Sequence, residues 1–225
     1  MSSLDLYAKI EPLIGFYEAY EELYDEYEKI ISKIKPKTLL DVGCGNGNFL
    51  KRFDYIEAKG IDISQSMVDI CQKKGLNVSC KRVEDIKEKF DVITAVADVL
   101  NYLDEEELKS FLTAVKNSLK DGGYFICDIN TLYGFSDVAE GVMVSEDDNG
   151  FLSVEAEFLD GELVTDFTYF EKKQKCYKKN QWRIRQYYHD IKKIKKVFKV
   201  KLFNTKNIKL FSENKADKVL LVFKS

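Results

Sequence analysis

Hydrophobic and polar positions change period several times along the chain. From Leu4 to Lys33 apolar and tyrosine residues recur three and four apart, and Leu23, Tyr27, Ile30, Ile31 and Ile34 mark one face of a helix. Pro36 ends it, and a short apolar run, Thr38–Val42, predicts a buried strand. That run breaks into Gly43, Gly45 and Gly47 at alternate positions, and Phe49–Phe53 is expected to open a helix. Strand and helix then alternate. Lys59–Ser64 reads as a strand, Gln65–Lys74 as a helix stopped at Gly75, Val78–Lys81 as a strand and Phe90–Ala95 as another. Asp104, with Glu107 three residues on, predicts a capped helix whose buried stripe is Leu108, Phe111, Leu112, Val115 and Leu119, closed by Gly122-Gly123. Tyr124–Asp128 is the fifth strand.

Residues 134–188 abandon the alternation of helix and strand. Phe151–Leu159 and Leu163–Glu171, joined at Asp160-Gly161, predict a β-hairpin, and Cys176–Tyr188 adds a third strand. Asp190–Lys196 reads as a short basic helix, followed by strands at Phe198–Phe203 and Lys218–Phe223. The pattern as a whole is α/β, a doubly wound, mostly parallel seven-stranded sheet with an added antiparallel β-layer.

Length and composition fit one domain. The 225 residues are 45% hydrophobic, which is enough for a full core. Met1–Ile14 carries no secretory pattern and no apolar run approaches 18 residues, so a soluble cytoplasmic protein without a membrane partner is expected. Five scattered cysteines without a C-x-x-C pair argue against a metal site or a disulfide framework. Charge is segregated: residues 1–170 hold 17 basic against 34 acidic side chains, whereas residues 171–209 hold 15 basic against two acidic. A basic stretch of this kind suits either an anionic partner such as nucleic acid or a solvated surface that pairs with the acidic half.

Candidate chemistry begins at the glycine loop. A strand ending in an acid and breaking into glycines leaves backbone free to approach a nucleoside-bearing ligand at the carboxyl edge of the sheet. The dinucleotide fingerprint G-x-G-x-x-G would need its third glycine at position 48, which is Asn48. Asp62 ends the next strand 21 residues past Asp41, and a two-oxygen acceptor there suits the vicinal diol of a ribose. Nicotinamide and other ribosyl cofactors both want that residue.

The pattern Asp41-x-Gly43-x-Gly45-x-Gly47 resembles motif I of the class I S-adenosylmethionine-dependent methyltransferases. Phe90-Asp91-Val92-Ile93, continuing to Asp98-Val99-Leu100-Asn101-Tyr102-Leu103, resembles a block of members acting on small molecules, and Leu119-Lys120-Asp121-Gly122-Gly123-Tyr124-Phe125 resembles their LKPGGxF turn with Asp121 in place of proline. Ala19-Tyr20-Glu21-Glu22-Leu23 looks like the segment whose tyrosine reaches the methionine end of the cofactor, which implicates Tyr20 and, on the same helix face, Tyr17. One departure stands out: where the family has G-D-x-x-D-[LI], this chain has Lys81-Arg82-Val83-Glu84-Asp85-Ile86, so the usual acid for the adenine amino group is Arg82. The resemblance is dense over Thr38–Thr131 and only architectural beyond.

The resemblance implies S-adenosylmethionine as cofactor and S-adenosylhomocysteine as product. It implies contacts from Tyr20, Asp41, Gly43, Cys44, Gly45, Asn46, Asp62, Ile63, Val83, Glu84, Asp85 and Ala97. It also implies a single domain over 1–225, with 1–36 as a helical lid and 134–188 as an antiparallel layer over the site of a small-molecule N or O acceptor, in a monomer or homodimer. Methyl transfer needs mainly alignment and exclusion of water, with a base where the acceptor must lose a proton. Asp98, Tyr102 and His189 are the candidate catalytic residues, with Asp128 either a further base or a loop support. The rivals are an RNA methyltransferase using 172–201 with Tyr177, Trp182, Tyr187 and Tyr188, a non-catalytic cofactor-binding protein, and a nicotinamide oxidoreductase.

Overall fold

The computed structural model describes residues 3–225, apart from the side chains of Ser3, Leu4 and Tyr17, so the role expected of Tyr17 lies outside the described residues. A seven-stranded sheet forms the centre. Its strands are β1 (Thr38–Val42), β2 (Glu57–Asp62), β3 (Val78–Cys80), β4 (Phe90–Ala95), β5 (Leu119–Asn130), β10 (Lys201–Ile208) and β11 (Lys218–Lys224), in the spatial order β10-β11-β5-β4-β1-β2-β3. β1 to β5 run parallel, while β11 pairs antiparallel to β5 and β10 antiparallel to β11. The strand order reverses between β1 and β4, and a crevice opens beyond their carboxyl ends.

Helices cover both faces because the inner strands are apolar on both sides. Against one face lie α4 (Glu105–Ser118) and α5 (Ile191–Phe198), with Leu108, Phe111, Leu112, Val115, Ile194 and Phe198 buried on the sheet. Against the other lie α2 (Tyr17–Ile34), α3 (Gln65–Lys73) and a 3-10 turn, Leu50–Phe53. Asp104 caps α4 by accepting from Glu106 N and Glu107 N, and Glu107 returns the bond, as the spacing predicts. Between β5 and the closing strands a separate four-stranded antiparallel sheet runs β6 (Gly141–Asp147), β7 (Gly150–Leu159), β8 (Glu162–Lys172) and β9 (Tyr177–Tyr187), in that order.

Several expectations need correction. The N-terminal helix is two helices, α1 (Ser3–Ile14) and α2, broken at Gly15-Phe16. After the glycine loop only a 3-10 turn forms. Gly122-Gly123 does not end α4, which stops at Ser118; the pair sits where the register of β4 on β5 shifts. The strand expected at Phe198–Phe203 runs instead from Lys201 to Ile208, because Phe198 is the last turn of α5 and packs edge-on against Phe125 and Phe223. β6 was not anticipated. It is an edge strand whose Val142 and Val144 face outward, so it lacks the apolar-in, polar-out alternation that marks a strand.

Candidate active site

The glycine loop leaves β1 with Gly43, Gly45 and Gly47 all at positive φ. Two of the three glycines are also needed for space: a Cβ on Gly43 would lie 2.7 Å from Val99 Cγ2, and one on Gly47 2.4 Å from Leu76 Cδ1. Gly43 N and Cys44 N donate to Ile61 O at 2.8 and 3.1 Å, which ties the loop to β2. Asp62, at the end of β2, accepts from Gly45 N at 2.9 Å and Ser64 N at 2.8 Å. Its carboxyl pKa is raised by burial, with the amide donors pulling the other way. Asp41 is fully enclosed; burial lifts its pKa to about 7 against the hydrogen bond from Thr94 Oγ1 at 2.8 Å.

These loops line a cavity of about 230 Å³. Tyr20, Asp41, Gly43, Cys44, Gly45, Asn46, Asp62, Ile63, Val83, Glu84 and Ala97, the residues expected to meet a cofactor, all border it. Asp85 does not. Its carboxylate turns back to accept from Arg82 N at 3.4 Å, closing the 3-10 turn Val83–Asp85. Glu84 remains on the wall, where it accepts from Ser110 Oγ at 3.1 Å and lies 3.8 Å from Arg82 Nε. α1 crosses the loops: Asp5 accepts from Ser64 Oγ at 2.7 Å, and Glu11 from Asn46 Nδ2 at 2.7 Å.

A second cavity of about 560 Å³ adjoins the first, and Tyr7, Tyr20 and Tyr102 border both. Burial raises the phenol pKa values of Tyr20 and Tyr102 well above the usual one, so both stay neutral. Met143, Val154, Phe167 and Ile184 of the antiparallel sheet line its far side. At the near side stands Asp98. Ala97 and Asp98 are consecutive non-glycine residues at positive φ, +62° and +67°. Asp128 holds them there, accepting from Ala97 N at 2.8 Å and Asp98 N at 3.2 Å as well as from Tyr27 Oη at 2.6 Å. It borders neither cavity, so it supports the loop.

Sequence reading missed Lys218. At 2% exposed it begins β11, pairs with Asp98, donates to Asn130 Oδ1 at 2.8 Å and lies 3.6 Å from Asp128 Oδ2. Burial works against its charge, but the two carboxylates outweigh burial and its pKa is raised. A lysine at the head of an otherwise apolar strand was the available signal. Asn101 was missed too: fully buried, it donates to Tyr187 O at 2.8 Å and accepts from Asn130 N at 3.0 Å, joining the central sheet to the antiparallel layer.

His189 is not where a base would need to be. It borders neither cavity, and its Nε2 sits 3.1 Å from Leu100 O and 3.0 Å from Leu103 O, behind the turn Val99–Tyr102. Burial lowers its pKa. Its role is to fasten that turn. The helix cap at this junction is Asp190, which accepts from Lys192 N. The basic stretch is partly answered by the acidic half: Arg183 is bidentate on Asp166 at 2.8 and 2.6 Å, Arg185 pairs with Glu162, and Lys193 lies 2.8 Å from Glu105. Trp182 stacks on Phe167 while Tyr177 is exposed, so the proposed stacking aromatics are not all presented to solvent. Among the described residues no helix is long and apolar enough to cross a membrane.

Residues 39–123 match a family described as "Methyltransferase domain". The crystal structure of an S-adenosylmethionine-dependent methyltransferase from Clostridium acetobutylicum ATCC 824 superposes with a TM-score of 0.77 at 25% identity, over 91% of each chain. This chain has the fold of the S-adenosylmethionine-dependent methyltransferases. The sugar N-methyltransferase KedS8 of Streptoalloteichus sp. shares the methyltransferase fold at TM-score 0.74 and 15% identity, covering 100% of this chain and 94% of that one. An uncharacterized protein of Methanocaldococcus jannaschii is 32% identical over 126 residues, 51% of this chain. That match spans 58% of the relative, less than two thirds of its length.

Proposed function

We propose that this methyltransferase transfers the methyl group of S-adenosylmethionine to a small-molecule acceptor. The observation that carries the reading is the pair of joined cavities, one floored by the glycine loop and Asp62, the other walled by the antiparallel layer, meeting at three tyrosines. The first fits the cofactor. Asp62 is a buried two-oxygen acceptor at ribose position, and a side chain on Gly43 would close the cradle. Asp41 and Glu11 offer carboxylates for the methionine ammonium, and Glu84 stands on the adenine wall in place of the acid that Arg82 displaces. The bound cofactor supplies an activated methyl group on a sulfonium. The chain's own part is to line up the acceptor, with Tyr7, Tyr20 and Tyr102 around the junction, and to keep water out.

Residues 3–36 act as the lid, since α1 is tied to the loops through Asp5 and Glu11. Residues 134–188 act as the cover of the acceptor cavity. A small acceptor is favoured over RNA because Arg183 and Arg185 are already paired within the chain. Calorimetric titration of S-adenosylhomocysteine tests the reading. Wild type should bind it, and Asp62→Ala should weaken binding ten-fold or more, about 1.4 kcal/mol. No binding to wild type would overturn the proposal.

A further inference from the structure

We propose that the methyl acceptor is an amine, received at the junction of the two cavities by the carboxylate of Asp98. The proposal rests on the methyltransferase reading and decides between nitrogen and oxygen within it. A hydroxyl acceptor has to lose its proton as the new bond forms, and so needs a base within hydrogen-bond reach. The groups at the junction do not supply one. His189 is walled off behind Leu100 and Leu103. Asp128 is enclosed and spends its oxygens on Tyr27, Ala97 and Asp98. The phenols of Tyr20 and Tyr102 are half-buried and stay neutral, so they offer protons more readily than they take them. Asp98 is already engaged in an ion pair with the buried Lys218. Asp137 and Glu140 are exposed and line the second cavity without bordering the first.

An amine that has given its proton to bulk water before it enters needs no base in the bond-forming step. As the free base it carries a lone pair already. The nitrogen–carbon bond forms as the sulfur–carbon bond breaks, the electron pair goes to sulfur, and positive charge passes from sulfur to nitrogen. The new ammonium then gives a proton to water. What helps such a step is a fixed negative group where that charge develops. The second cavity has this character: Asp98, Asp137, Glu140 and Asp217 line it against one cation, Lys218, among the described residues. Lys218 and the doubly anchored left-handed turn fix Asp98 in place, so little reorganisation is needed when the charge arrives.

Sinefungin tests this, since it is S-adenosylhomocysteine with the sulfur replaced by a carbon bearing an ammonium, which points along the path of transfer. Wild type should bind sinefungin at least ten-fold more tightly than S-adenosylhomocysteine by calorimetry. Asp98→Asn should cut that ratio to within about three-fold. Asparagine suits positive φ, so the variant keeps the backbone; Asp98→Ser removes the same charge and serves if it does not fold. Equal binding of the two ligands by wild type, or a preference that survives loss of the Asp98 charge, overturns the inference. Absence of S-adenosylhomocysteine binding would instead overturn the methyltransferase reading.

Discussion

Asp41 carries a cost that its ligand can remove. Its pKa of about 7 means that near neutral pH the free protein holds it about half protonated. An ammonium arriving beside it favours the ionised form, so cofactor binding at pH 7 should release up to about half a proton from this site. Titrating S-adenosylhomocysteine in two buffers of different ionisation enthalpy measures the release, and Asp41→Asn should abolish it. The same shift sets a stability trend. Because the folded pKa is raised above the unfolded value near 3.8, the contribution of protonated Asp41 is complete below about pH 4 and is lost as pH rises through about 7. The melting temperature of Asp41→Asn relative to wild type should therefore improve from pH 5 to pH 8. A flat difference would show that Asp41 stays ionised throughout.

At the scale of elements, the glycine loop and the capped α4 make separate demands. Gly47→Ala would add a Cβ 2.8 Å from Cys71 Sγ at a residue with φ of +81°, a combination expected to cost about 1–3 kcal/mol in denaturant unfolding. Asp104→Ala removes an acceptor for two amides at the head of α4 and should cost about 1 kcal/mol while leaving cofactor affinity unchanged. These elements were legible in the sequence for a physical reason. β1 and β2 are buried toward their carboxyl ends and carry Asp41 and Asp62 there, at the edge a ligand would meet, so local pattern and global role coincide. β6 was not legible and β10 was legible only with shifted bounds, because edge strands have one solvated flank and their positions depend on partners far away in the chain. The site divided the same way. Residues of the cofactor cavity sit on motifs. Lys218 meets Asp98 across 120 positions and Asn101 meets Tyr187 across 86, separations that no local pattern encodes. His189, the one histidine in the sequence, reads as chemical there, whereas in the fold its partners are two backbone carbonyls.

For the whole molecule, the N-terminal helix is the part whose order should respond to ligand. α1 touches the rest through Asp5 on the head of α3, through Glu11 on the glycine loop, and through Ile10 packed on Phe167, Tyr169 and Ile184 of the antiparallel sheet. Two of these three attachments fall on loops that border the cofactor cavity. Hydrogen exchange of residues 3–14 should slow several-fold on saturation with S-adenosylhomocysteine, while residues 201–208, the edge strand of the central sheet, should exchange as before. Equal slowing at both places would mean a global gain in stability rather than closure of a lid.

The position of Lys218 in the chain also bears on how the protein is made. Every residue bordering the first cavity lies between Tyr7 and Phe111, whereas the second draws on residues as late as Lys218. During synthesis the ribosome therefore delivers the whole lining of the first cavity by Phe111, and the counter-ion of Asp98 about a hundred residues afterwards. Until β11 docks, Asp98 lacks its counter-ion, so the second cavity is the later of the two to be completed in the order of synthesis.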